Sequence, residues 1–198
     1  YNIDIVSVSG GRNQVLGSPS RYFKEAVMPR LPLVLETPMP QELQERFDKV
    51  TGPGSGLENI YRALFANPSV ASGLADLDEL VSQCDIELWI TYTVALSVAH
   101  ERSSPSIWAA FEPLAREAGV SDSVIDGIAS GTAPRGLLPK EGIWVHFALE
   151  VIRCKVRDST WQAVTHLVGD AGAVSLAFIA CYYDMMAKLN NCFALDSR

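Results

Sequence analysis

The stretch Leu57-Glu-Asn-Ile-Tyr-Arg-Ala-Leu-Phe-Ala66 contains the spacing that decides the fold class. Its large apolar residues fall at relative positions 0, 3, 4, 7 and 8, and they are Leu57, Ile60, Tyr61, Leu64 and Phe65. This spacing places them on one face of an α-helix, because a helix turns once in about 3.6 residues. The pattern ends at Asn67-Pro68. The stretch therefore predicts an amphipathic helix with one buried face.

Helix start and stop signals recur along the rest of the chain. Ser104 precedes a proline at the first helical position, and Gly119 closes that helix. The segment 159–162 has the spacing of a capping box, and Gly169 ends the helix that it begins. Further helices are predicted over residues 41–50, 70–83, 86–100, 141–156 and 173–191. No strand-rich block follows Ser9, so the predicted fold class is all-α, with eight or nine helices.

The N-terminal part of the chain has a different composition from the rest. Gly10, Gly11 and Gly17 interrupt a weak apolar alternation, and Pro29 and Pro32 follow them. Residues 1–36 are therefore predicted to form an irregular arm that wraps a helical body, either its own or that of a partner subunit. The helical domain is predicted over residues 37–198.

Composition excludes several classes of function. The 198 residues include 16 Lys plus Arg and 23 Asp plus Glu, which gives a net charge of −7. An acidic surface argues against nucleic acid and anionic membranes as partners, because phosphate binding needs a basic patch. The longest apolar stretch, 86–99, has 14 residues and is too short to span a membrane. A soluble domain with a small-molecule ligand is expected; the cytoplasm is the default location, although a leader before Tyr1 stays open.

Metal and cofactor motifs are absent from the sequence. The four cysteines form no CxxC pair, and no zinc-finger, HExxH, GxSxG or phosphate-loop pattern occurs. Three of the cysteines fall in apolar helical segments, and the cysteines are interpreted as buried thiols, with a disulfide or a redox role as the alternative. Neither a metal site nor a cofactor is predicted.

Two sets of polar residues are candidates for chemistry. His100 lies near the end of an apolar helix, where it either complements the helix dipole or serves in a site. His146, Glu150 and Arg153 lie at positions 0, 4 and 7 and form one polar stripe. Such a stripe is either solvated or, if it points inward, supplies an acid, a base and an anion clamp.

A family resemblance joins these segments. Residues 92–121, YTVALSVAHERSSPSIWAAFEPLAREAGVS, resemble the signature region of the carboxymuconolactone decarboxylase and alkylhydroperoxidase D-like superfamily. The segments 59–68 and 156–161, and Tyr182-Tyr183 through Asn190, agree with it, so the resemblance covers roughly residues 30 to 195. It implies an all-helical fold of that type and homo-oligomers, dimers or multiples of dimers, with active sites near subunit contacts.

The sequence departs from the family pattern at the positions that do the chemistry. Tyr92 takes the place of the family's glutamate, Ile107 that of an acidic residue or cysteine, and Phe111 that of its histidine. The redox branch needs two cysteines three residues apart, and Ser104 and Ile107 stand there. Thiol peroxidase chemistry by that mechanism is therefore excluded.

Two functions remain open. The first is a cofactor-independent lyase or isomerase that acts on an aromatic or polycyclic metabolite in an apolar pocket. The second is a non-catalytic ligand-binding or scaffolding protein on the same helical body. For the enzyme, the candidate catalytic residues are Tyr92, His100 and His146. The candidate substrate-binding residues are Tyr61, Trp108, Phe111, Glu112 and Arg153.

Overall fold

The structure is a computed structural model, and it describes residues 58–195 together with Arg30, Leu31, Glu45 and Asp48. Residues 58–195 form seven helices and no strand. In chain order the helices are α1 (Glu58–Leu64), α2 (Pro68–Gln83), α3 (Leu88–Glu101), α4 (Pro105–Glu117), α5 (Asp122–Ala129), α6 (Pro139–Ile152) and α7 (Asp158–Phe193). The predicted all-α fold class is confirmed over this range.

Helix α3 is the centre of the bundle and packs against α4, α5, α6 and α7. Val94, Ala95, Leu96 and Val98 have no solvent exposure, which is expected for a helix that is apolar on all sides. The hydroxyl of Ser97 is also buried, and it donates to the Thr93 carbonyl oxygen at 2.7 Å. Its polar group is thus satisfied within the helix, so burial leaves no orphan hydroxyl.

Proline and glycine set several helix boundaries. Helices α2, α4 and α6 begin at Pro68, Pro105 and Pro139, because a proline at the first position sacrifices no helical hydrogen bond. Gly119 follows α4 with φ +92°, in the region where glycine is favoured. The predicted boundaries of α4 are confirmed.

Helix α7 consists of two helical segments that meet at Gly169. Gly169 has φ 72° and ψ 173°, which are not helical angles, so the predicted helix end at this residue is confirmed. The predicted capping box at 159–162 is wrong, because α7 begins at Asp158 and its N-cap residue, Arg157, makes no side-chain cap. The predicted helix 141–156 is also too long: α6 ends at Ile152, and Cys154 turns the chain with φ 54°.

Within the described part of the chain, α7 is the one helix that is long and apolar enough to cross a membrane. This criterion rests on length and composition alone. One third of the most apolar 18-residue segment of α7 is buried. In its second segment Leu176, Ile179 and Met186 have no exposure and pack into the bundle. Val174 on the opposite side is 61 % exposed.

All four cysteines are free, in agreement with the absence of a disulfide pattern. The prediction that they are buried is wrong for Cys154, Cys181 and Cys192, which are exposed. Cys154 lies after the end of α6, in the connection to α7, where its positive φ turns the chain. Cys181 and Cys192 lie on the outer side of α7, because a cysteine in an apolar segment is buried only if it shares the inward face.

The predicted arm, residues 1–36, lies outside the described residues except for Arg30 and Leu31. The backbone N–H of Arg30 donates to the Phe193 carbonyl at 3.0 Å, and its side chain donates to the Cys192 carbonyl at 3.0 Å. These bonds satisfy carbonyl groups at the C-terminal end of α7. The predicted helix over 41–50 is described only at Glu45 and Asp48, which are helical.

Candidate functional site

A cavity of about 270 Å³ lies between α2, α3, α4 and α7, and we call it the main cavity. Its apolar walls are Val81, Ile86, Leu88, Ala110 and Leu114. The other lining residues are Asp78, Ser82, Cys84, Thr91, Tyr92, Phe111 and Tyr183. Leu88 is 61 % exposed and Leu114 is 39 % exposed, so they form the rim that faces solvent. A concave, mostly apolar surface with few polar groups is typical of small-molecule sites.

Three aromatic rings form one wall of the main cavity, and Phe111 is at its centre. The ring centroids of Tyr92 and Phe111 are 5.9 Å apart, with an interplanar angle of 35°. The Tyr183 ring meets Phe111 edge-on at 4.9 Å, and Tyr182 meets Tyr183 at 5.3 Å in the same manner. Edge-to-face contacts of this length fix the rings relative to one another.

The carboxylate of Asp78 is anchored beside this wall. The Tyr182 hydroxyl donates to Asp78 Oδ1 at 2.8 Å. Burial raises the pKa of Tyr61, and the charge of Asp78 raises it further, while a hydrogen bond with Tyr182 lowers it in part. Three elements, α1, α2 and α7, thus converge on this carboxylate.

The two phenols on the lining remain protonated at neutral pH. Burial raises the pKa of Tyr92, and the nearby charge of Glu117 adds to this. Burial also raises the pKa of Tyr183, followed by the charge of Asp78. Both hydroxyls can therefore donate a hydrogen bond to a ligand, whereas the Asp78 carboxylate can accept a hydrogen bond or a proton.

The structure brings only two of the eight predicted site residues to the main cavity, Tyr92 and Phe111. Tyr61 is buried in the core at 2 % exposure, near Tyr182 rather than on the lining. The remaining five lie in three other places.

His100 and Arg153 meet at a separate cavity of about 80 Å³. Arg153 donates to both oxygens of Glu101, through Nε and Nη2, at 2.7 Å each. This bidentate pair engages the guanidinium that was predicted to clamp an anion. Gly131, at φ +68°, approaches the His100 ring so closely that a Cβ there would lie 3.4 Å from Nε2.

His146, Glu150 and Arg157 form a group that we call the α6–α7 cluster. His146 Nε2 lies 2.8 Å from Glu150 Oε1, and Arg157 Nε donates to the same oxygen at 2.6 Å. The Arg157 side chain also contacts the His146 ring. The predicted stripe of His146, Glu150 and Arg153 is therefore divided, and its two parts join α6 to α7 and to α3.

Trp108 and Glu112 lie on the outer side of α4. Trp108 Nε1 donates to Glu112 Oε2 at 2.9 Å, and Arg116 donates to Glu112 Oε1 at 2.7 Å. The hydrogen bond from Arg116 holds the pKa of Glu112 below its usual value. Trp108 lines an open surface hollow together with His100 rather than the main cavity.

Asp78 and Tyr183 were not among the predicted site residues. Asp78 has a signal in the sequence, because Leu74, Asp78 and Val81 lie at 0, 4 and 7 on one helical stripe, where a carboxylate interrupts an apolar face. Tyr183 has no such signal, since an aromatic residue on a core helix is as well suited to packing.

No family model, no curated protein and no solved structure matches this chain. Among the described residues, no group of three or more His, Cys, Asp or Glu side chains is arranged to hold a metal ion. The resemblance to the carboxymuconolactone decarboxylase and alkylhydroperoxidase D-like superfamily stays a prediction.

Proposed function

We propose that this protein binds a small, mostly apolar molecule in the main cavity and converts it without a cofactor, as a lyase or an isomerase. The observation that carries the proposal is the main cavity itself, where an anchored carboxylate lies beside an aromatic wall that includes two phenols. The resemblance to the decarboxylase superfamily supports the same class of reaction, in a biosynthetic or degradative pathway.

The proposed chemistry uses groups from three helices. Asp78 on α2 is the proton or hydrogen-bond acceptor, and Tyr92 on α3 is the donor to an oxygen that gains negative charge. Phe111 on α4 orients the ligand by ring contact. Orientation of this kind contributes to rate because it removes the entropy of bringing groups together.

A non-catalytic binding protein is the second candidate. It is favoured by the position of the two predicted catalytic histidines, because neither His100 nor His146 lines the main cavity. An enzyme would consume many equivalents of its substrate, whereas a binding protein would retain one equivalent unchanged. Mass spectrometry of a metabolite extract, incubated with catalytic and with stoichiometric amounts of the protein, separates the two.

The proposal predicts that filling the main cavity weakens binding. Ala110 lines the main cavity at 5 % exposure, so Ala110→Leu places the added atoms in the empty volume. We expect affinity for the neutral probe 2-phenylethanol to fall at least tenfold by isothermal titration calorimetry, about 1.4 kcal/mol.

The control is Ala109→Leu, which makes the same change one residue away, where the side chain is exposed. This variant should bind like the wild type. Equal binding by both variants, or no binding by the wild-type chain, would contradict the proposal.

Partners and location follow from the sequence rather than from the cavity. We propose a homo-oligomer, a dimer or a multiple of dimers, with no nucleic acid or membrane partner and a cytoplasmic location. The exposed Val174 and Leu167 on α7 are apolar surface that a second copy would cover.

A further inference from the structure

Two of the exposed cysteines lie where α6 and α7 meet. Cys154 is in the connection 153–157 between these helices, and Cys181 is in the second segment of α7, 27 positions later. Helix α6 packs against α7. Free cysteine is among the most buried residue types in folded proteins, so packing accounts for neither of these exposed side chains.

The backbone conformation at Cys154 also favours a different residue. Cys154 has φ 54°, directly after Arg153, the C-cap residue of α6, and its N–H donates to the Val151 carbonyl at 2.9 Å. Glycine is the usual residue at this place after a helix, because a side chain strains the left-handed backbone. An exposed cysteine in a strained conformation indicates a role of the thiol beyond packing and helix termination.

One arginine joins the end of α6 to the turn of α7 that follows Cys181. Arg102 Nη2 donates to the Ile152 carbonyl at 2.8 Å, and Arg102 Nε donates to the Asp184 carboxylate. Ile152 lies two residues before Cys154. Asp184 lies three residues after Cys181, and therefore on the same side of the helix. Both cysteines thus lie within one helical turn of the two residues that Arg102 joins.

The two thiols also lie within electrostatic range of one another. Burial and the charge of Asp184 raise the pKa of Cys181, and the charge of a Cys154 thiolate raises it further. Lys188 acts in the opposite direction, because its ammonium group favours a thiolate. Like charges affect each other in this way only when they are close. This coupling agrees with the placement of both cysteines beside the Arg102 contacts.

We infer that Cys154 and Cys181 form a reversible disulfide within one chain when the protein meets an oxidant, and that this bond ties the α6–α7 connection to the second segment of α7. The structure describes the reduced form, in which both thiols are free. Transient disulfides in reducing compartments are typical of redox-sensing proteins. The inference is independent of the proposed function, because neither cysteine lines the main cavity.

The oxidant in the proposed reaction is a small disulfide such as oxidised glutathione. The thiolate of one cysteine attacks a sulfur of this molecule, forms a mixed disulfide and releases one small thiolate. The thiolate of the second cysteine then attacks the protein sulfur of the mixed disulfide, whose S–S bond breaks and releases the second small thiolate. The two protons lost by the protein thiols pass through water to the released thiolates. The protein loses two electrons, and the small disulfide gains them.

The test uses the folded wild-type protein, treated with oxidised glutathione and then with N-ethylmaleimide, which blocks the remaining thiols. Trypsin releases Cys154 in the dipeptide 154–155 and Cys181 in the peptide 158–188. Mass spectrometry of a non-reduced digest should find these two peptides joined, and dithiothreitol should separate them. Glutathione adducts on separate cysteines, a bond between two chains, or another pairing as the main product would overturn the inference.

Denatured protein provides the reference for chance pairing. In an unfolded chain the shorter loop closes more readily, so Cys181 should pair mainly with Cys192, 11 positions away. In the folded chain these two cysteines lie on one helix, about 16 Å apart along its axis, and cannot meet. The folded protein should therefore give the bond between Cys154 and Cys181 instead. The same distribution of pairings in both states would overturn the inference.

Three serine variants locate the bond. Cys154→Ser and Cys181→Ser should each abolish the joined peptides, whereas the control Cys192→Ser, at another exposed cysteine of α7, should keep them. Circular dichroism before oxidation establishes that each variant is folded. A bond to Cys181 that survives Cys154→Ser, or a bond that is lost in Cys192→Ser, would overturn the assignment of the pair.

The Tm measures whether the disulfide ties the two elements together. Oxidation should raise the Tm of the wild-type protein by at least about 5 °C, because a closed loop of this length restricts the unfolded chain. Oxidation should leave the Tm of Cys154→Ser unchanged. An equal Tm for the oxidised and reduced wild-type protein would overturn the inference.

Discussion

The main cavity and the α6–α7 cluster each contain a carboxylate, Asp78 and Glu150, in different surroundings. In the α6–α7 cluster, Glu150 is surrounded by donors: its oxygens accept from the Arg157 backbone N–H at 3.1 Å and from Arg157 Nε at 2.6 Å, and they lie 2.8 Å from His146 Nε2. Asp78 accepts from Tyr182 at 2.8 Å, and it lies on the lining of a cavity of about 270 Å³ that four helices border. The first arrangement holds two helices together, and the second leaves room for a ligand.

The difference shows that an acidic residue beside a histidine or an arginine has a structural role in the α6–α7 cluster. The groups of the α6–α7 cluster all lie between His146 and Arg157, which are 11 positions apart in the sequence. Residues so close in sequence meet because of local geometry. The groups at the main cavity come from α2, α3, α4 and α7, so only the complete bundle assembles them.

The largest expected effect on stability and ligand binding together is that of Phe111→Ala. Phe111 is 8 % exposed and contacts Tyr92 and Tyr183, so loss of its ring should lower the free energy of unfolding by about 3 kcal/mol. This value is at the lower end of the range for buried phenylalanines, because one side of the ring already borders a cavity. Denaturant unfolding measures this loss, and 2-phenylethanol binding should weaken at least tenfold.

Phe147→Ala is the comparison for Phe111→Ala, because Phe147 has no exposure and lines none of the described cavities. It should cost more stability, about 4 to 5 kcal/mol, and leave 2-phenylethanol binding unchanged in the folded fraction. If Phe111→Ala costs as much as Phe147→Ala and spares binding, Phe111 belongs to the core alone and the aromatic wall is not a binding surface.

The fold class was predictable because helix signals in this chain are local. Pro105, Gly119 and Gly169 mark helix ends through their own backbone restrictions, and the structure follows them. The predicted capping box failed because a side-chain pattern only permits a cap: the helix begins at Asp158, and Arg157 is its N-cap residue. Burial of the cysteines failed for the same kind of reason, since apolar surroundings in sequence do not fix which face of a helix turns inward.

The candidate site was predictable only in part. Tyr92 and Phe111 were found because the resemblance pointed to α3 and α4, which pack side by side. Asp78 is separated from Tyr182 by 104 positions, and no spacing rule connects them. His146 and Arg153 were chosen for their chemistry, but Arg153 pairs with Glu101, which the stripe did not contain. His146 lies beside Glu150 of the stripe and contacts Arg157.

The next effect in size is that of Glu150→Gln, which removes the charge at the centre of the α6–α7 cluster. The Glu150 side chain is 12 % exposed, so an uncharged amide leaves Arg157 without its ion pair and loses acceptor capacity. We expect the free energy of unfolding to fall by about 2 kcal/mol, in the range for hydrogen bonds to charged groups. Binding of 2-phenylethanol should not change; a tenfold loss would contradict a structural role.

The same variant has a signature in pH. Burial alone would raise the pKa of Glu150, but the Arg157 backbone N–H, the Thr160 hydroxyl and the Arg157 side chain lower it by more, so it lies below its usual value. A carboxyl whose pKa is lowered in the folded state stabilises the fold fully above its unfolded pKa of about 4.3 and loses that contribution as the pH falls through the folded value. Between pH 6 and pH 3, the free energy of unfolding should therefore fall more steeply for the wild type than for Glu150→Gln.

The smallest effect is expected for Arg153→Ala. The sequence predicted that Arg153 would clamp an anion, and this variant tests whether the side chain binds a ligand or only pairs with Glu101. The Arg153 side chain is 51 % exposed and that of Glu101 is 26 % exposed, and exposed pairs of this kind contribute at most about 1 kcal/mol. Arg116→Ala is the control, because Arg116 is 45 % exposed and pairs with Glu112 on α4 and with Asp122 on α5, away from His100. Both variants should lower the free energy of unfolding by less than about 1 kcal/mol and leave binding of 2-phenylethanol and of its anionic analogue phenylacetate unchanged by calorimetry. If Arg153→Ala alone weakened phenylacetate binding tenfold, the cavity beside His100 would be the anion site that the sequence predicted, and the contrast between a ligand site at Asp78 and structural ion pairs at α6 would no longer hold.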